Sequence, residues 1–108
     1  MSPERSYPAR HEVAEIDATA LDAARAADRA LAAARDAGAE RWQRYLEPIP
    51  DRLRDDPIPS LRAVARLTRS AYGPKDSIRD VLSEDVTEPL LKAVDRLLKA
   101  LARFEAHR

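Results

Sequence analysis

Cysteine is absent from the 108 residues. That excludes disulfides, thiolate nucleophiles and cysteine-ligated zinc, and it fits a reducing compartment. Only two glycines occur, Gly38 and Gly73. A backbone cradle for phosphate draws on several glycines, so nucleotide-fold and kinase readings fall. The two histidines, His11 and His107, stand near opposite ends of the chain. A zinc centre needs three or four converging ligands, so both histidines read as surface residues. Ser70, Ser77 and Ser83 have no nearby base, and no Gly-x-Ser-x-Gly is present, which leaves no hydrolase nucleophile. No catalytic residue and no cofactor is expected.

Excess charge of either sign is also missing. Lys plus Arg and Asp plus Glu number 19 each. Proteins that neutralise many phosphates show a basic surplus, so nucleic acid is not the expected partner. No apolar run approaches the roughly 18 residues of a membrane span. Met1 to Arg10 lacks the apolar centre of a secretory signal. The expectation is a cytoplasmic protein with no membrane partner.

What the chain has is helical period. Val13, Ile16, Ala20, Ala23, Ala27, Ala30 and Ala34 recur at steps of three and four, one continuous stripe of a helix over about 10–37. Gly38 is a natural stop. Trp42, Leu46, Ile49 and Leu53 continue the period, interrupted by Pro48 and Pro50. A proline in a helix interior costs about 3 kcal/mol, so a kink or break is expected at 47–50. Ser60 reads as the cap, or a neighbour of the cap, of a helix over about 59–71, with Leu61, Val64, Ala65 and Thr68 inward and Arg62, Arg66 and Arg69 outward. The last helix is expected over about 87–106, with Pro89 in its first turn and Leu90, Val94, Leu97, Leu101 and Phe104 as its inner face. No alternating strand pattern occurs. The predicted fold is all-α, a small helical bundle of three main helices plus a kinked or short helix. It occupies residues 10–108, behind a flexible tail at 1–9 in which Tyr7 is available to pin the chain locally.

Between the last two helices lies Tyr72-Gly73-Pro74-Lys75-Asp76-Ser77-Ile78-Arg79-Asp80. Gly73 is predicted to take a positive φ, and Ser77 or Asp76 to cap a short helix to Leu82, with Asp80 in a capping-box position after Ser77. Lys75, Asp76 and Arg79 should be exposed there and open to a partner. The second candidate surface is the stripe of Arg62, Arg66 and Arg69, with no acid between Pro57 and Lys75. It could take phosphate or an acidic partner, which makes a nucleic-acid adaptor one alternative reading. A third reading is enzymatic. Glu12 and Glu15, three apart, resemble the paired carboxylates that bind Mg²⁺ in all-helical nucleotide pyrophosphatases, with Glu84, Glu88 or Asp95 to complete the site.

The run from Glu40 to Leu82 resembles a family of small uncharacterised bacterial domains. The resemblance rests on Trp42 and Leu46, then Leu61 and Val64, and an aromatic-Gly-x-x-x-Ser-apolar-x-Asp turn ending at Asp80. This chain has Pro74 where members usually carry a second glycine, and Asp76 where a small residue is common. The family is similar in size to bacterial immunity and antitoxin proteins, and it supplies no active site. The resemblance implies a protein-interaction module without catalytic activity. A homodimer is also expected, because helix one presents mostly alanine while the last helix has an apolar face wider than one seam. The alternative lays helix one across that face within one chain.

Overall fold

The computed structural model describes residues 7–108, all in helices, turns and connecting segments, with no strand. The chain is all-α. Of the expected tail, residues 1–6 lie outside the described residues, while Tyr7 is half-buried against Phe104, with ring centroids 6.3 Å apart.

The first long helix, α1, spans Ala14–Asp36 and is preceded by a single 3₁₀ turn at Arg10–Glu12. Gly38 takes φ +65°. The Ala39 N–H donates to the Ala34 carbonyl at 2.9 Å and the Gly38 N–H to the Arg35 carbonyl at 3.1 Å. These two bonds use helix-end acceptors that have no partner inside α1, and they need a left-handed residue between them. The expected break then appears: α2 is Glu40–Leu46 and α3 is Ile49–Asp55, separated at Glu47-Pro48.

The fourth helix, α4, is Ile58–Arg69. It starts one residue before the expected 59 and ends two before the expected 71, and Ser60 lies inside it with Pro57 at the cap. Pro57 precedes it in extended conformation, and Pro59 falls within the first turn, where its missing N–H costs nothing. The last helix, α5, is Glu84–Ala106. It begins three residues before the expected Thr87, so Pro89 sits inside it. Pro89 has no N–H for the Asp85 carbonyl four residues back.

Alanine on α1 has a packing reason. The helix lies against α5 on one side and against α3 and α2 on the other. Ala20, Ala23, Ala27, Ala30 and Ala34 are fully buried, and side chains of one carbon let neighbouring helices approach closely. Large residues of the other elements fill the space around them: Leu46, Ile49, Leu53, Leu61, Ile78, Leu90 and Leu97 are all fully buried. The apolar face of α5 is therefore covered by α1 and α4 within one chain. That removes the reason for expecting these two faces to pair between chains. Glu15 at the start of α1 is paired with Arg103 near the end of α5, so the two long helices run antiparallel.

Candidate functional site

The six residues singled out for partner contact do not share one environment. Arg69 is ion-paired with Asp95 of α5, Nε to Oδ1 at 3.3 Å. Arg79 donates to both Glu88 carboxylate oxygens, at 2.8 and 3.2 Å, and its guanidinium stands 5.3 Å from the Tyr72 ring centre. It is the clasp that holds the turn on α5 rather than a free contact. Lys75 and Asp76 are exposed at the tip. Arg62 is half-buried, Arg66 is exposed, and neither side chain has an acidic partner among the described residues.

The turn corrects one expectation. Gly73 has φ −65° and ψ 172°, an extended conformation, and the left-handed residue is Asp76 at φ 53°. The reason is Pro74. Its ring crowds the preceding residue and confines it to extended backbone, so the reversal moves to a residue type that tolerates the left-handed region. The capping expectation stands. The Ser77 hydroxyl accepts from the Arg79 N–H at 3.1 Å, and the Asp80 carboxylate from the Ser77 N–H at 3.2 Å. A 3₁₀ turn over Ile78–Asp80 follows. Tyr72 closes the unit by donating its hydroxyl to the Thr87 carbonyl. Burial and the Glu88 charge push the Tyr72 phenol above its usual range, while the Arg79 hydrogen bonds hold Glu88 below the usual carboxylate value.

A basic surface remains between α4 and α5. Arg69, Asp95, Leu98, Lys99 and Ala102 line a shallow cleft of about 360 Å³. The two contacts Tyr72 to Thr87 and Arg69 to Asp95 advance in opposite directions along the two helices, so α4 and α5 are antiparallel. Arg66 and Arg62 therefore extend the cleft in the direction of Lys99 and Ala102. Asp95 is the sole acid lining the cleft, and Arg69 occupies it. Lys99 was not singled out from sequence. Its signal was the run Lys92, Arg96, Lys99 at steps of four and three on the outer side of α5.

The carboxylates of the enzymatic reading are not brought together. Glu12 accepts from the Ala9 N–H at 2.9 Å as a helix-start cap, and Glu15 is paired with Arg103. Glu88 is held by Arg79 and Asp95 by Arg69. From Glu88 to Arg103 along α5 is about 22 Å at helical rise, so Glu84 and Glu88 stand far from Glu15. Among the described residues no group of three or more potential metal ligands occurs.

One buried polar group was missed from sequence. The Arg10 side chain is 10% exposed. Its Nε donates to Asp17 at 3.0 Å, and Nη1 to the carbonyls of Leu53 and Asp56 at 2.7 and 3.1 Å. It satisfies the end of α3, where helix carbonyls lack partners. Trp42, 4% exposed, belongs to the core, with Arg41 over its ring at 4.8 Å.

No protein-family model matches this chain, and no curated protein or solved structure matches it. No helix of the described residues is long and apolar enough to cross a membrane.

Proposed function

We propose that this protein is a non-enzymatic, cytoplasmic interaction module that docks an acidic protein partner on the α4–α5 face. One observation carries the reading. Lys99 lines a cleft whose single acid, Asp95, is already engaged by Arg69, and the antiparallel course of α4 and α5 places Arg66 and Arg62 beyond Arg69 towards the cleft's Lys99 end. The chain as a whole is neutral, so this local surplus is segregated charge. Half-buried Leu98 and exposed Ala102 give the cleft an apolar floor. Arginines beside a small apolar surface are the composition that anchors protein interfaces. Rim charges of this kind steer an oppositely charged partner and suppress wrong ones. Lys75 and Asp76 form a second exposed point at the turn. The resemblance to small bacterial domains the size of immunity and antitoxin proteins leans the same way.

The test compares wild type with Arg62→Glu/Arg66→Glu in affinity capture from the native cell, read by quantitative mass spectrometry. The reading expects an acidic protein that wild type retains and the double variant loses. Both forms should keep the same circular dichroism and differ little in melting, because neither side chain makes an ion pair among the described residues and Arg66 is exposed, where substitution usually changes stability by less than about 0.5 kcal/mol. Salt-sensitive binding to single-stranded or duplex nucleic acid, lost in the same variant, would replace this reading with a nucleic-acid adaptor. Calorimetry with Mg²⁺ and Mn²⁺ covers the enzymatic alternative. Tight binding abolished by Glu15→Ala would overturn the non-enzymatic reading.

A further inference from the structure

The outer face of α4 has no long polar side chain along its centre. Pro59, Ala63 and Leu67 follow one another at steps of four, with Ser70 three further on, so they form one ridge. All four are exposed. A helix face left in water ordinarily carries charged and polar residues. Leu67 is 38% exposed, and of the other large apolar side chains among the described residues only Val81 is exposed as well. The ridge is not the side by which α4 packs on α5 and α3. That side is formed by Ile58, Leu61, Val64, Ala65 and Thr68, all buried.

Cations border the ridge on both sides. Arg62 and Arg66 stand three positions after Pro59 and Ala63, on the side that Arg69 turns to α5. On the other side Tyr45 of α2 donates to the Leu67 carbonyl. Arg41 stands one turn before Tyr45 on the same face of α2, its guanidinium 4.8 Å from the Trp42 ring centre. Among the described residues none of Arg41, Arg62 and Arg66 forms an ion pair. No acid lies three or four positions from any of them, where a helical ion pair forms. Acids at the border are engaged elsewhere: Glu47 with Arg35, Asp56 with Arg52 and Asp95 with Arg69. The two without a partner are Glu40, on the next face of α2 from Arg41, and Asp55, at the end of α3.

Arginines beside an exposed leucine and a half-buried tyrosine have the composition of an interface anchor. A second copy does not suit this patch. Turned onto itself about a two-fold axis, it sets arginine against arginine with no acid to answer them. We propose that the acidic partner crosses α4 and seats an apolar side chain on Leu67, its carboxylates meeting Arg62 and Arg66 on one side and Arg41 on the other. This rests on the acidic-partner reading and adds the chemistry of the docking segment, an apolar residue with carboxylates on both sides. Lys99 and the α4–α5 cleft then mark one edge of the footprint, and Leu67 its centre.

The photo-cross-linking residue p-benzoylphenylalanine in place of Leu67 tests this in the native cell, with the same group in place of exposed Ala32 on α1 as the control. The acidic protein that wild type retains should cross-link at position 67 and not at 32. The cross-link should map to an apolar residue with Asp or Glu within about four positions on both sides. Titration with that purified partner should show affinity falling at least about tenfold in Leu67→Glu and at least about threefold in Leu67→Lys, with unchanged circular dichroism. The lysine variant decides the point. A residue that merely stands near a basic cleft binds an acidic partner more tightly as lysine, whereas an apolar anchor loses its contact either way. A partner lost in Arg62→Glu/Arg66→Glu but bound unchanged by both Leu67 variants overturns this inference and leaves the partner reading intact. So does a partner that tightens with Leu67→Lys, or one that cross-links as readily at 32. No acidic protein retained by wild type overturns both. Nucleic acid cross-linked at position 67 overturns both and favours the nucleic-acid adaptor.

Discussion

Arg10 holds the carbonyl of Leu53 at 2.7 Å, across 43 positions of sequence. The same guanidinium reaches Asp56 and Asp17, so one side chain ties the start of the chain to α1 and to the end of α3. The geometry requires a planar group with several donors. Arg10→Met leaves two carbonyls and a carboxylate without their donor. It should destabilise by about 2–4 kcal/mol, the range for losing hydrogen bonds from a buried charge. Arg10→Lys should recover little, because one ammonium cannot reproduce the fork. Urea unfolding of both variants reads this. A Lys variant as stable as wild type would show that the charge alone matters.

The turn makes an opposite prediction at Gly73 from the one its sequence suggests. A Cβ built there meets the Ser70 and Lys75 carbonyl oxygens at 3.8 and 3.9 Å, which is ordinary contact. Gly73→Ala should therefore be neutral, or stabilising by up to about 1 kcal/mol through the unfolded chain. The strained position is Asp76. Asp76→Val should cost about 1–2 kcal/mol, because a branched side chain is disfavoured at positive φ, while Asp76→Gly should cost nothing. Thermal melts of the three variants rank them. Gly38→Ala should also destabilise, since its φ is +65° even though open space surrounds it.

These residues show where sequence was legible. Gly38, the break at Pro48, and the Ser77 cap with Asp80 are local devices, each decided by two or three neighbouring residues. The period of α1 and α5 was legible for the same reason. Gly73 was misread because two local rules compete there, and the proline that follows outweighs the freedom of glycine. The start of α5 was misread because Pro89 suits a first turn, whereas the Ser83 carbonyl already accepts from the Val86 and Thr87 N–H groups at 3.1 Å, so the helix begins directly after Ser83. The Arg10 tether and the Lys99 side of the cleft were not legible at all. Both depend on which helices become neighbours, and that is a property of packing.

Alanine at α1 should be irreplaceable only where the helix is enclosed. Ala27 is fully buried, whereas Ala32 on the same helix is exposed. Ala27→Leu forces α1 away from a neighbouring helix and should cost about 1–3 kcal/mol or more, the usual penalty for overfilling a packed core. Ala32→Leu should stay within about 0.5 kcal/mol of wild type. Chemical denaturation of both variants measures the contrast. Equal stability would mean that α1 is not enclosed as described.

The clasp between Tyr72, Arg79 and Glu88 gives the fold a pH signature with two limbs. Glu88 is held below the usual carboxylate range, chiefly by the hydrogen bonds from Arg79. Its contribution is present above the unfolded value of about 4.3 and is lost as pH falls through the lower folded value. Tyr72 is shifted the other way, chiefly by burial. The folded state favours its neutral phenol, so that contribution is complete below about 10 and is lost as pH rises towards the folded value. Stability should be flat between these limits and fall on both sides. Glu88→Gln should flatten the acid limb and reduce the alkaline one only in part, because burial, the larger cause of the Tyr72 shift, remains. Tyr72→Phe should flatten the alkaline limb and lower the plateau by about 1 kcal/mol, the net worth of its hydrogen bond to the Thr87 carbonyl. Part of the alkaline limb should survive in Tyr72→Phe, because Tyr45 is raised by burial as well and donates to the Leu67 carbonyl. Tyr45→Phe in the same background should remove that remainder. Urea midpoints measured across the pH range separate the three groups. An alkaline limb unchanged in the double variant would place its origin outside both tyrosines.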